Sequence, residues 1–208
     1  MSQRTPLNLA RILDAAVVVA DAGGLAAVSM RNVGRELGVE AMSLYHHVAN
    51  KDRLLDELAD WIFTGIELPT LTDPWREAMI ARAESARRVF AQHPWALHLI
   101  ESRRAAGPAL LQHHDTVLGN LRSNGFPLPL AMSAFSAIDS YVYGFALTES
   151  NLPIAAEEAS ASFASEFDLE PYPFLTEMLT AGDFTFGGEF LTGLGMILDE
   201  LQARHPGV

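Results

Sequence analysis

The sequence predicts an all-α protein, and three observations carry that prediction. Apolar residues recur at helical spacing along most of the chain, no stretch shows the apolar/polar alternation of a strand, and Gly, Pro and Asn punctuate the pattern. With 208 residues, 49% of them hydrophobic and 19% charged, there is ample apolar material for a packed core. The absence of cysteine excludes a disulfide scaffold, a cysteine-ligated zinc site and a thiol nucleophile. Near the N-terminus the longest apolar run is Ala15 to Ala20, far short of the roughly 20 residues that span a bilayer. No secretory or lipidation pattern is found, so a soluble cytoplasmic protein without a membrane partner is expected.

The elements follow in order. Apolar positions 9, 12, 13, 16 and 20 form one helical face, which Gly23-Gly24 should end. Ser29 is placed to cap a short second helix, Met30 to Leu37, with Met30, Val33 and Leu37 on one side. Gly38-Val39 makes a tight turn into a third short helix from about Glu40 to His47. Asn50 then caps a fourth helix with a stripe of Leu54, Leu55, Leu58, Ile62 and Ile66. Longer helices are expected beyond Pro69: Pro74 to about Gln92, a short piece from Trp95 to Glu101, and Pro108 to about Ser123. In the last of these, Leu110, Leu111, His114, Val117, Leu118 and Leu121 form the apolar face. A helix from Leu128 to Ser150 is apolar nearly all round, and the acidic, Ala/Ser-rich stretch from Asn151 to Pro173 reads as a mobile, partly helical connection. The final helix, Phe186 to Ala203, turns Phe190, Leu191, Leu194, Ile197, Leu198 and Leu201 inward.

Two short helices joined by a tight glycine turn describe a helix-turn-helix, whose second helix can enter a major groove. At 100° per residue, Ala41, Leu44 and Val48 point inward, while Met42, Ser43 and His46 point outward with Tyr45 and His47 beside them. The formal charge of -12 argues against nucleic acid until its distribution is considered. Residues 1–55 carry six cations against five acids, whereas the remainder carries eight arginines against 21 acids. A near-neutral N-terminal module of residues 1–53 is thus distinct from an acidic body of residues 54–208, and the helix from about 50 to 66 links them.

The stretch from Ile12 through Leu58 resembles the DNA-binding domain of TetR-family (tetracycline-repressor-like) regulators. Ser29-Met30-Arg31-Asn32-Val33-Gly34-Arg35-Glu36-Leu37-Gly38-Val39, Ser43-Leu44-Tyr45-His46-His47-Val48, Asn50-Lys51 and Leu54-Leu55 carry the likeness in order and spacing. The resemblance implies a recognition helix closed by Leu44-Tyr45-His46-His47, a phosphate-holding Lys51, and an Arg31 placed to reach a base. By their chemistry, Arg31 suits guanine, Ser43 and His46 base edges, and Met42 a thymine methyl. Ser29, Tyr45, His47 and Lys51 suit phosphates. The bland reading makes Tyr45 an aromatic at the core edge and Arg35 and Arg53 solvated cations.

The body continues the resemblance. Trp75-Arg76-Glu77, His93-Pro94-Trp95, Gly107-Pro108, Asn124-Gly125-Phe126, Ser140-Tyr141-x-x-Gly144 and Phe186-Gly187-Gly188 to Leu201 look like the regulatory domain of the tetracycline-repressor subclass. That implies a helical bundle for ligand binding and dimerisation, and a homodimeric repressor released from a palindromic double-stranded operator by a small organic effector. The apolar helices at 130–145 and 186–201, with Gly187, Gly188, Gly193 and Gly195 allowing close approach, favour a homodimer independently. Phe90, His98, His114, Phe135 and Tyr143 are the candidate effector contacts. His114 is equally readable as a core residue, and Asp139 and Tyr143 need partners from another helix, a second subunit or a ligand. Two departures count against magnesium–tetracycline itself: Leu99 stands where the resemblance places a metal-binding histidine, with His98 one residue off, and Glu67 stands at a second drug-contacting histidine.

Rival readings fare less well. His93, His98, His113 and His114 lack the i, i+4 spacing of a helical zinc pair, and no metal or other cofactor is expected. No nucleophile elbow, phosphate-cradling loop or His-Glu-x-x-His suggests an enzyme. The remaining alternative is a helical ligand-binding dimer without sequence-specific DNA binding.

Overall fold

The computed structural model describes residues 6–103, 106–151, 168–180 and 186–205. They are helices and connecting loops with no strand among them, and the chain divides into two compact units, residues 1–124 and 125–208. The helix expected to link the two domains, from about residue 50 to 66, lies within the first unit.

The first unit opens with α1, Leu9–Ala27, capped by the Asn8 side chain, which accepts from the Arg11 N–H. The break expected at Gly23-Gly24 is a kink rather than an end: Gly24 has φ 68°, and a last helical turn continues to Ala27. α2, Met30–Leu37, begins with Ser29 accepting from the Asn32 N–H and ends on Gly38 in the left-handed region at φ 67°. α3, Ala41–Leu44, is shorter than expected, because Tyr45 to His47 form a turn in which the His47 and Val48 N–H groups both donate to the Leu44 carbonyl. Ile12, Ala16, Val28, Val33, Leu44 and Val48 fill the interior of this three-helix headpiece.

α4, Lys51–Thr64, is capped by Asn50, whose side chain accepts from the Arg53 N–H. Its stripe of Leu54, Leu58 and Ile62 is fully buried. α5 (Trp75–Gln92), α6 (Ala96–Ser102) and α7 (Pro108–Ser123) complete the unit. The inner face of α7 departs from the apolar stripe: His113, Val117, Asn120 and Leu121 are buried, whereas Leu111 is 57% exposed and His114 half-buried. The reason is that its buried polar groups have partners. Asn120 donates to the carbonyls of Thr70 and Asp73, which pins the loop before α5.

The second unit contains α8 (Leu128–Asn151), α9 (Pro173–Thr180) and α10 (Phe186–Arg204). By length and composition α8 could cross a membrane, but it buries Ala131, Ala134, Ile138, Asp139, Val142 and Ala146 within the protein and packs on α10. Phe190, Leu194, Leu198 and Leu201 of α10 are buried as expected; Leu191 is exposed and Ile197 half-buried. At Gly193, one of the glycines read as favouring a dimer, the close approach is within the chain: the Tyr141 ring lies where its Cβ would stand, and the phenol donates to the Phe190 carbonyl at 3.0 Å. Residues 152–167 of the predicted connection lie outside the described residues. α9 was not evident from periodicity, being only eight residues long.

Gly34 of α2 sits where a Cβ would come within 3.0 Å of the Val39 carbonyl and 3.3 Å of the Ala41 Cα, so the two helices of the motif meet across it. Gly38 has open space and needs only its backbone freedom. Gly34→Ala should therefore lower unfolding free energy by about 1–3 kcal/mol, through overpacking against backbone. Gly38→Ala should lose only the left-handed penalty of about 1–2 kcal/mol without displacing α3. Denaturant melts, together with amide shifts of Ala41 to Leu44, separate the two.

Candidate nucleic-acid interface and its connections

On the headpiece, the residues expected to meet DNA are brought to the surface. Met42 is 72% and Tyr45 44% exposed, and Arg31, His46, His47 and Lys51 are exposed as well. Leu44 and Val48, fully buried between them, anchor the turn that presents this row. No hydrogen bond or ion pair within the described residues engages the side chains of Arg31, Met42, Tyr45, His46, His47 or Lys51. Ser43 is half-buried, and the Ser29 hydroxyl accepts the Asn32 N–H, which leaves its proton to donate outward. The two other cations differ: Arg53 pairs with Glu57 at 2.6 Å, and Arg35 donates to the Asn32 side chain at 3.0 Å. Lys51 therefore stands with its charge uncommitted at the α4 N-terminus, where unpaired N–H groups also favour an anion.

Sequence reasoning missed how this interface is connected to the rest of the unit. Asp52, Asp56 and Asp60 recur every fourth residue along one side of α4. Arg103 donates to the Asp56 carboxylate at 3.2 Å and to that of Asp52 at 3.4 Å. Asp60 accepts from the Ala109 and Leu110 N–H groups at 3.0 and 2.9 Å, and so caps α7 from a different helix. Gly107, the residue at the α7 cap position, offers no side chain of its own, and a Cβ there would collide with the Asp60 carboxylate. The three acids at i, i+4 spacing were the legible signal. Their partners, about 50 residues away, were not.

A second connection lies at the other side of the headpiece. Asp21 of α1 accepts from His93 Nδ1 at 2.8 Å and from the Trp95 indole N–H at 2.7 Å. His93 is held edge-on to Trp61 of α4, with ring centroids 5.4 Å apart.

The candidate effector residues are distributed between the units. In the first, Phe90 is buried in the core, His98 is exposed on α6 and His114 is half-buried. In the second, Phe135 and Tyr143 are half-buried on α8, and Asp139 is buried. The histidine placed on the inner stripe of α7 is corrected by one position: His113 is the buried one, at 0% exposure. Its Nε2 accepts from the guanidinium of Arg82, itself only 2% exposed, at 3.2 Å, and its ring lies 5.5 Å from that of Phe63. Burial first, then the charge of Arg82 and the neighbouring His114, push the His113 pKa down to about 3. Glu67, at the second position that disfavoured magnesium–tetracycline, is exposed and paired with Arg88.

Both parts of the chain resemble known proteins. Residues 12–58 match the family model described as bacterial regulatory proteins, tetR family, and residues 68–205 match the tetracyclin repressor-like C-terminal domain. The HTH-type transcriptional repressor DrrR1 of Streptomyces coeruleorubidus is 36% identical over 94% of this chain and 77% of its own length. The class D tetracycline repressor protein of Escherichia coli is 29% identical over 95% of this chain and 90% of its own. Among solved structures, the TetR family protein ActR of Streptomyces coelicolor in complex with actinorhodin superposes with a TM-score of 0.77 at 28% identity, covering 96% of this chain and 97% of that one.

The buried imidazole generates a pH prediction. The folded chain keeps His113 neutral, whereas the unfolded chain takes up a proton below about pH 6.5. Stability present above that pH should fall as the pH is lowered, by at most about 1.4 kcal/mol per unit from this group, until the folded state protonates near pH 3. Denaturant melts between pH 7 and pH 5 should show a shallower decline for His113→Gln than for the parent chain. Equal slopes would assign the acid sensitivity to other groups.

Proposed function

The chain belongs to the TetR family of transcriptional regulators, and from that premise we propose that its 1–53 headpiece reads a palindromic operator while residues 54–208 bind a small organic effector and dimerise. It is a ligand-responsive, sequence-specific DNA-binding repressor and not an enzyme. The observation that carries the residue assignment is the exposed, unengaged row from Arg31 through Met42, Tyr45, His46 and His47 to Lys51. Arg31, Ser43, His46 and Met42 read bases, and Ser29, Tyr45, His47 and Lys51 hold phosphates.

A homodimer is supported by the second unit. Leu128, Met132, Leu191 and Met196 are exposed there, and an open groove of about 400 Å³ runs along Leu130, Ala137, Met196, Ile197 and Leu201. Two-fold symmetry would set two headpieces on half-sites about one helical turn apart. Phe90, His98, His114, Phe135 and Tyr143 remain the proposed effector contacts, with His113 and Arg82 as buried polar neighbours on the first unit. The effector is an organic molecule other than magnesium–tetracycline, in keeping with Leu99 and Glu67 at the two departures. Its binding shifts α4 and changes the separation of the recognition helices, so operator DNA should lower effector affinity by the same factor.

Selection of duplex DNA by the purified protein should yield a palindrome, bound with log affinity falling linearly in log salt. Tyr45→Ala and Lys51→Ala should each weaken that binding about tenfold with helicity and dimerisation intact, and Lys51→Ala should reduce the salt slope by about one per half-site. Arg31→Ala should relax the preference at one position in each half-site, by about 1–3 kcal/mol of discrimination. No enrichment over bulk DNA by the ligand-free protein would favour a ligand-binding dimer without sequence-specific DNA binding.

A further inference from the structure

We propose that Asp21 is a positioning residue for DNA recognition, fastening the headpiece through α1 to the corner between α5 and α6 and delivering movements of that corner to the headpiece directly. The inference rests on the reading of residues 1–53 as the DNA-binding module.

The geometry begins with Pro94. It forces His93 out of the helix, and His93 closes α5 at φ -127°, ψ 71°, with its N–H returned to the Val89 carbonyl. Trp95, two residues on, stands at the cap position of α6. The side chains on either side of the proline converge on one carboxylate oxygen of Asp21, His93 Nδ1 at 2.8 Å and Trp95 Nε1 at 2.7 Å. Both donors are sheltered, with the Trp95 side chain buried and the His93 side chain 15% exposed. The imidazole is further fixed between two indoles, 5.4 Å from Trp61 and 5.6 Å from Trp95. Three elements thus meet at this point: α1 brings the acceptor, α4 brings Trp61, and the α5–α6 corner brings both donors.

This arrangement has a specific consequence. α1 is packed on α2, and α2 on α3, so the orientation of α1 sets that of the recognition segment. Without Asp21, α4 would remain as the covalent link between headpiece and body. With it, the headpiece is held at two separated places, and a displacement of the first turn of α6 acts on both.

Because the chain contains no cysteine, introduced cysteines give unambiguous spin-label positions. Labels at the exposed Glu36 on α2 and Ala81 on α5, in protein diluted with unlabelled chain, report the headpiece–body distance. The parent chain should give a narrow distribution and D21A a broader one. D21N should stay near the parent, since its amide oxygen still accepts. W95F removes one donor while keeping an aromatic ring in the same place and should broaden the distribution mildly, which keeps the test available if D21A folds poorly. Binding of D21A to the selected operator should weaken about tenfold with an unchanged salt slope, because no phosphate contact is lost. Narrow distributions in both D21A and W95F would overturn the proposal, as would a broadened one with operator affinity unaltered. If the parent chain selects no operator, the DNA-binding reading fails, and the distances still decide whether Asp21 fixes the headpiece.

Discussion

The arrangement of the first unit depends on what one helix, α4, is attached to. It carries Lys51 at its solvent end and Leu54, Leu58 and Ile62 in the core, so it belongs to the headpiece and the body at once. Its acidic side is met by two different kinds of partner. The Asp60 cap of α7 places a carboxylate on two helix N–H groups in a half-buried setting, a contact worth about 1 kcal/mol. The Arg103–Asp52 pair is 3.4 Å long with Asp52 83% exposed, the kind of ion pair that contributes about 0–1 kcal/mol. The stronger attachment is at the third turn and the weaker one lies beside Lys51. Of the two, the end that carries Lys51 is the easier to move.

Charge is partitioned to match. A protein with a net charge of -12 approaches a polyanion only if its contact surface is locally free of that excess, and the headpiece supplies such a surface. Two of its five acids are engaged by residues beyond it, Asp21 by His93 and Trp95 and Asp52 by Arg103. Arg31 and Lys51 bring uncommitted positive charge to the proposed reading face. The buried pair of Arg82 and His113 shows the opposite situation in the body. There a neutral imidazole is maintained beside a guanidinium because the surrounding core penalises a second positive charge.

Much of the architecture was legible because local chemistry and periodicity agreed. Ser29 and Asn50 announced helix starts, Gly38 a left-handed stop, and Leu44 with Val48 the inner side of the recognition segment. The reading failed where polar groups are buried by virtue of distant partners. A stripe argument turned His114 inward on α7, whereas the chain buries His113 and Asn120, whose partners are Arg82 and the carbonyls of Thr70 and Asp73. Asp21 and Asp60 were invisible as connectors for the same reason, since their partners are 49 or more residues away in sequence. The candidate interface was readable from its outward positions on a short motif. The effector residues were proposed singly, and no local spacing specifies which of them share a wall.

The short turn after Leu44 has an evolutionary consequence. Met42, Tyr45, His46 and His47 are carried by two buried neighbours, Leu44 and Val48, and their own side chains have no bond to the described residues that a replacement would break. Substitution at these four positions is therefore nearly neutral for folding, since exposed sites away from caps and cores shift stability by about 0.5 kcal/mol or less. On the proposed assignment of these residues, a duplicated copy of this gene could drift to a new operator one residue at a time without first acquiring a compensating stabiliser elsewhere. The scaffold separates what is read from what holds the reader, and that separation lets descendants of one ancestor diverge in target while keeping a common fold.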